Sequence, residues 1–359
     1  MSVGTFNKIG LDVSGESTFG TAVVTLDKGY PVRADRPVYN YETVNDQDTL
    51  TGQLENGITS IVTKITASQT IEMDARLDAI AAYGKFAFGK LTTTAGTPVT
   101  HLIEVGSTAD QRALPSFTHC WYDAFNASGK WWVLAGSKIQ RMTIAGEAGG
   151  KITMSLDIMC GKPVDGGGAS PTYAQVETTI SDPTMSTDPI MAMARVSSFK
   201  IISGGSDIKD KLKSFEFVFE NVFDDAAEMA AGSVMVPAME RIGFNVSGSF
   251  TLKADAYAPT SGGTALTPSV VSILDTYMAP SQTAGSLGHQ TGVKLELIMA
   301  GATSGHQAKI TVYNAKLADG SVSGQRSKLE KPITFVGMYD TSATKAADIE
   351  VKNLVSVYT

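Results

Sequence analysis

Few side chains in this chain are spaced for catalysis. The four histidines, His101, His119, His289 and His306, lie far apart and never in an H-E-x-x-H arrangement. No two of them therefore project from one helix face toward a zinc ion. His119 adjoins Cys120, but neighbours on a strand point to opposite faces, which prevents a thiol–imidazole dyad. Gly15-Glu16-Ser17-Thr18-Phe19 lacks the last glycine of a nucleophile elbow. No Gly-Lys pair is followed by Ser or Thr, and no G-x-G-x-x-G occurs, so no phosphate cradle is offered.

Asp74 with Asp78, and Asp224 with Asp225, are carboxylate pairs of the kind used in acid–base work or calcium binding. Asp123 would join Asp74 and Asp78 in a β-rich hydrolase. A solvated polar face explains these acids more simply, since exposed carboxylates are the rule. Trp121, Trp131 and Trp132 are all the tryptophans of the chain. As a stacking platform they would make a glycan-binding adhesin; packing in a core or subunit interface is the simpler reading. Met185, Met191 and Met193 suit either an adaptable docking surface or a linker packed on the core. The expectation is an enzyme-free chain with no cofactor and no metal.

Such side chains would have to be held by strands. The chain has 359 residues, 43% hydrophobic and 18% charged, with 35 glycines and recurrent Thr, Val and Ser. That mix favours strands joined by turns, and the length suggests two domains. The formal net charge is −7, spread evenly over both halves, so no basic face is large enough for tight nucleic-acid binding. Cys120 and Cys160, the only cysteines, are expected to stay buried and reduced. Met1–Gly10 carries no charged segment followed by an apolar run, and no apolar stretch of about 18 residues exists, so neither a signal peptide nor a membrane span is expected.

One pattern occurs twice. Ser68–Ala75 alternates and runs into a short apolar helix, with Ile71, Met73, Ala75 and Leu77 on one face. Ser247–Ala254 repeats it, Ser68 matching Ser247, Ile71 matching Phe250 and Met73 matching Leu252. The first helix is expected to end at Gly84, and the second spans Ser269–Met278. Before each strand comes a loosely patterned stretch, Glu42–Ala67 with an Asn56-Gly57 turn, and Phe223–Glu240. Further strands are expected at Pro37–Tyr41, Thr100–Val105, Ser116–Ala124, Trp131–Ala135, Ile139–Ile144, Lys151–Met159, Val196–Ser203, Lys213–Val222, Val293–Met299, Lys309–Asn314, Lys331–Met338 and Ile349–Val357. Lys151–Met159 is wet on one side and dry on the other, the mark of an antiparallel sheet. The fold class is all-β, or a β-dominated α+β. Residues 1–165 and 195–359 form two β-domains, joined by the Gly/Pro-rich linker 166–194.

Gly15–Ala22 and the run from Leu114-Pro115-Ser116-Phe117-Thr118 through Trp121, Gly136-Ser137-Lys138-Ile139, Met142, Ile144 and Gly149-Gly150-Lys151 to Cys160-Gly161-Lys162 resemble the tail tube proteins of long-tailed, non-contractile bacteriophages. The resemblance covers most of residues 10–165, and the second half follows mainly through the repeat. It implies two tandem tube-like β-sandwich domains, each with a flanking helix and a long arm, in a trimeric ring that imitates a hexamer. Such rings stack into a tube that ejects DNA. The implied partners are other copies of the chain, the tape measure, terminator and distal tail proteins, and phage DNA passing without specific binding; no membrane is involved. Tyr41, Asp46, Leu50, Leu54, Ile58, Phe223, Met229 and Met235 are the inter-ring arm candidates. Lys151, Thr153, Ser155, Asp157, Glu216 and Glu220 are the candidates for lumen or inter-subunit strands, with a negative lumen expected. Another tail or virion protein, distal or decorative, is the alternative within the same class.

Overall fold

Side-chain alternation decides the longest elements. Ile152, Met154, Leu156 and Ile158 are buried, while Thr153, Ser155 and Asp157 between them are half-exposed. Phe215, Phe217 and Phe219 repeat that pattern further on. The computed structural model describes residues 7–23, 25–34, 37–45, 60–106, 114–123, 130–163, 182–201, 207–223, 239–254, 292–319, 329–355 and 358.

Among these the first half of the chain supplies β1 (Asn7–Leu11), β2 (Lys28–Ala34), β3 (Val38–Asn45), β4 (Ser60–Asp74), α1 (Leu77–Phe88), β5 (Gly89–Thr94), β6 (Val99–Val105), β7 (Phe117–Asp123), β8 (Lys130–Glu147) and β9 (Ile152–Pro163). The rest supplies β10 (Thr184–Met185), β11 (Val196–Ile201), β12 (Leu212–Phe223), β13 (Arg241–Ala254), β14 (Val293–Ala300), β15 (Gln307–Asp319), β16 (Leu329–Met338) and β17 (Ala347–Asn353). The fold is strand-dominated, as expected. The pairings are antiparallel except for a two-residue contact of β10 with β2.

One order of pairing is found twice. β1, β7, β8, β9, β4 and β3 pair in succession. β11, β14, β15, β16, β13 and β12 pair in the same succession. Val38, Ser68, Met159 and Lys138 lie in one cross-strand row, and Val218, Ser247, Val336 and Lys316 form its counterpart. Even the irregularities agree. The β3·β4 ladder steps over Thr63 between Lys64 and Val62, and the β12·β13 ladder steps over Ile242 between Gly243 and Arg241. β8 pairs with β12 and joins the two series into one sheet of order β3, β4, β9, β8, β12, β13, β16, β15. β17 returns to pair with β6, so the last strand lies against the first half.

The dry side packs on α1, which is buried all round because Ala79, Ala81, Ala82 and Ala87 let neighbouring strands approach it. Phe88 stacks at 4.8 Å on Phe219 and 5.2 Å on Phe244, tying the halves into one core. The helix has no side-chain cap of its own. Asp188, from the stretch read as a linker, accepts the Asp78 amide at 3.2 Å instead. Nearby, Met191 and Met193 are buried in the core and Met185 is exposed, so packing describes this stretch better than docking.

Four expectations are corrected. α1 does not end at Gly84 but continues to Phe88. Gly84 faces Ile103, where a Cβ would come within 2.9 Å of Cδ1, and Gly89 supplies the left-handed cap at φ 105°. The strands expected at Trp131–Ala135 and Ile139–Ile144 are one strand, β8, which turns at Gly136 with φ 64°. β1 and β2 were not foreseen, because each is short and carries a glycine that breaks its alternation. Asp78 is buried in the first turn of α1 rather than solvated. The opening loop is fixed by Glu16, whose carboxylate accepts from Ser116 Oγ at 2.8 Å, Thr118 Oγ1 at 2.9 Å and the amides of Gly136 and Gly20 at 2.8 and 2.9 Å.

Candidate functional site

The groups singled out for chemistry are held in unreactive states. His119 is fully buried, its Nε2 lies 2.7 Å from Gln69 Oε1, and burial pushes its pKa down to about 3. Burial raises the Cys120 thiol well above its ordinary range. Cys160 is buried too, and its thiol donates to the Ala135 carbonyl at 2.8 Å. His101 is buried between Thr93 and Asn353, and His306 is half-buried in the turn before β15, where its amide donates to the Thr303 carbonyl. Asp74 pairs with Lys151 at 2.7 Å, and burial raises the Asp78 carboxyl. Trp121 and Trp131 are buried and Trp132 packs on Tyr39 at 5.9 Å, so no tryptophan platform faces solvent. Among the described residues no three ligands converge for a metal. His289, Asp224 and Asp225 lie outside the described residues, as does the helix expected at Ser269–Met278.

What the sheet does build is a broad polar face. One row across it runs Thr70, Asp157, Arg141, Glu220, Asn245. The next runs Glu72, Ser155, Thr143, Val218, Ser247, Val336. A third runs Asp74, Thr153, Ala145, Glu216, Ser249, Thr334. Thr153, Ser155, Asp157, Glu216 and Glu220 thus share one surface, with Lys151 at its rim beside Asp74. The charges are uneven. Five carboxylates stand in these rows against Arg141, which lies 2.7 Å from Asp157, while Arg33 and Lys316 stand at the two ends of the second row, next to Glu72 and Val336. Asp157 raises the Arg141 pKa, with Glu220 and Glu216 adding to it. Asp157 also accepts Thr70 Oγ1 at 2.8 Å. Lys213 at the edge is neutralised by Glu330 at 2.5 Å. Cations already paired with carboxylates have little left to offer a phosphate.

Two hairpin bases flank this face. At the β12·β13 base, Asn221 donates to the carbonyls of Ala87 and Ile139 at 2.9 and 2.8 Å. Arg241 donates to Phe88 O and Asn221 Oδ1, both at 3.1 Å. The guanidinium satisfies the Phe88 carbonyl at the C-terminus of α1 and complements the helix dipole. Burial nevertheless pulls its pKa to about 10. Lys138 donates to Met239 O across the same base.

At the β3·β4 base the matching ladder positions hold Tyr41 and Val62. Both are exposed, as are Val38, Val44 and Ile61 along the same hairpin. Of the arm candidates, Tyr41 lies in β3 and Phe223 ends β12. Asp46, Leu50, Leu54, Ile58, Met229 and Met235 lie outside the described residues.

Arg141, Asn221, Arg241 and Lys138 were not among the sequence candidates. Asn221 alone left a signal, as the polar residue at the next inward position after Phe215, Phe217 and Phe219. A comparison with protein families matches residues 8–297 to the model of a phage tail tube protein. No curated protein matches the chain.

Proposed function

The chain belongs to the phage tail tube protein family, whose members are structural parts of the virion tail and not enzymes, and from that membership we propose how it builds a tube. Residues 1–165 and 195–359 are two tandem tube domains. Three chains close a ring of six such units, and rings stack into the hollow tail of a long-tailed, non-contractile phage. The twofold recurrence of the pairing order supports this division.

The polar sheet face lines the lumen. Its carboxylates repel a polyanion over roughly a Debye length, about 8–10 Å at physiological salt, and Arg141 and Lys151 are occupied by carboxylates. DNA then slides without sticking during ejection. The hairpins β3·β4 and β12·β13 are the roots of the arms that reach the next ring. Exposed Val44 and Ile61 supply apolar contact there. The tape measure protein occupies the lumen before ejection, and terminator and distal tail proteins close the two ends.

The observation that carries the reading is the single polar face that runs through both halves, rich in carboxylates and with Arg141 and Lys151 paired to Asp157 and Asp74. Negative-stain electron microscopy of the purified chain at rising concentration tests it. Stacked rings with a central channel are the expected result. Dispersed monomers at every concentration, even with tail initiator proteins added, would overturn it.

A further inference from the structure

The two segments that join the hairpin strands are acidic throughout. Residues 46–59 join β3 to β4 and carry Asp46, Asp48 and Glu55 with no lysine or arginine. Residues 224–238 join β12 to β13 and carry Asp224, Asp225 and Glu228, again with no base. Both segments lie outside the described residues. Both are entered and left at the same end of the sheet. β4 and β13 are four antiparallel pairings apart and so run the same way, and each begins at its hairpin. The opposite rim is where cations gather. A cleft of about 260 Å³ there is lined by Arg33 on β2, Glu72 and Asp74 on β4, Arg76 before α1 and Lys151 before β9.

In this cleft Asp74 is shared by two cations, Lys151 Nζ at 2.7 Å and an Arg33 guanidinium nitrogen at 3.5 Å. The Arg33 side chain is 68% exposed. Arg76 donates to the Asp188 carbonyl, a neutral partner. Three cations thus meet two carboxylates, beside rows that are otherwise acidic. The second half has the same excess at the same end. Since Ser68 matches Ser247, Lys253 stands at the ladder position of Asp74. Glu330 lies opposite Lys253 and is already 2.5 Å from Lys213. Acidic segments leave one end of the sheet in both halves, and cations outnumber carboxylates at the other end in both.

We infer that segment 46–59 of one copy of this chain docks on the cleft of Arg33, Arg76 and Lys151 in a copy of the next ring. This rests on the stacking reading above and adds the seat of the segment and the force that holds it. A carboxylate entering the cleft meets guanidinium groups that can bind it in charge-assisted, two-pronged fashion. Nine of the fourteen residues 46–59 are polar, against four of the fifteen residues 224–238. The first segment therefore suits a charged cleft and the second an apolar surface. Opposite charge at the two ends also sets direction. Two arm ends brought together would oppose acid to acid, whereas arm end to rim attracts, so copies add head to tail and the stack stays open to growth.

The test is a charge swap in the full chain, read by sedimentation and negative-stain electron microscopy. Arg33→Glu with Lys151→Glu is expected to raise the concentration at which rings stack by about tenfold or more, because each ring loses several copies of the contact at once. Both side chains are at least half exposed, so thermal unfolding is expected to stay near the parent's. If it does not, Arg33→Gln with Lys151→Gln, which removes the charge without reversing it, is read in its place with the same expected rise. Adding Asp46→Lys, Asp48→Lys and Glu55→Lys to the reversed pair is expected to restore stacking, which a purely structural role of the cleft would not allow. Tubes from the cleft variant at the parent's concentration would overturn the docking and leave the tube standing. Recovery only with Asp224→Lys, Asp225→Lys and Glu228→Lys would overturn the assignment to 46–59. A parent chain that forms neither rings nor tubes, even with tail initiator proteins added, would overturn the stacking reading itself.

Discussion

The bases of the two hairpins share a backbone and differ in side chains. Both ladders skip one residue at the same step, Thr63 in one and Ile242 in the other. Yet the β12·β13 base carries Asn221 and a buried Arg241, while the β3·β4 base carries Tyr41 and Val62 in the open. The difference teaches that one backbone scaffold carries two kinds of base, and that side chains decide which is closed within the chain. A buried polar group must have its partners before folding ends, because an unmet one costs about 1–3 kcal/mol. An exposed apolar group can wait.

The largest expected effect comes from breaking the closed base. Asn221→Ala removes the donor to two buried carbonyls and a neighbour of Arg241. At about 1–3 kcal/mol for each of the two unmet carbonyls, the loss is roughly 2–6 kcal/mol. In a chain of this size that lowers Tm by several degrees. Tyr41→Ser and Val62→Ser are expected to change the unfolding of the isolated chain by less than about 0.5 kcal/mol, as exposed substitutions do, while stacking of rings fails. Denaturant unfolding beside sedimentation of the same samples reads both effects. Equal losses of stability at the two bases would erase the distinction between them.

Acid sharpens the comparison from another side. His101 and His119 belong to the first half and are both held neutral by burial. His119 stays unprotonated down to about 3, whereas in the unfolded chain it takes a proton near 6.5. The unfolded state therefore binds more protons over that window, so stability is complete above about pH 6.5 and falls as pH drops toward 3. Each unit of pH costs about 1.4 kcal/mol per such histidine. Burial raises Asp78 and Asp27, which works the other way at lower pH, so the histidine slope is cleanest from pH 6.5 to about 5. Tm over that range is expected to fall, and to fall less in His119→Gln. A flat profile in the parent would contradict the buried neutral ring.

How much of this the sequence discloses depends on how far apart the partners lie. The alternations of Ile152–Ile158 and Phe215–Phe219 are local, and they identify the strands and their wet faces directly. Thr153, Ser155, Asp157, Glu216 and Glu220 are legible for the same reason, though not that β8 would bring them together with Arg141 between. The closed base is illegible, because Arg241 answers to Phe88 and Lys138 to Met239, at separations no periodicity spans. β1 is too short to announce itself, and its place is fixed by β7 more than a hundred residues on. Gly84 misled because a glycine that admits a neighbour reads the same as one that ends a helix.

The smallest effect on stability is expected on the polar face itself. The Arg141–Asp157 pair is close, but Arg141 is about half exposed, and such pairs contribute about 0–1 kcal/mol. Asp157→Asn should therefore leave Tm nearly unchanged. It would free a guanidinium in the middle of the polar face, beside Glu220, and a ring repeats each substitution in every copy. Binding of duplex DNA fragments by the variant chain is expected to rise above the parent's and to weaken steeply with salt. Removing a partner in the closed base costs stability; here the loss of a partner alters only what the surface attracts. DNA binding that is equal in parent and variant at low salt would mean that Asp157 does not govern the charge this face presents.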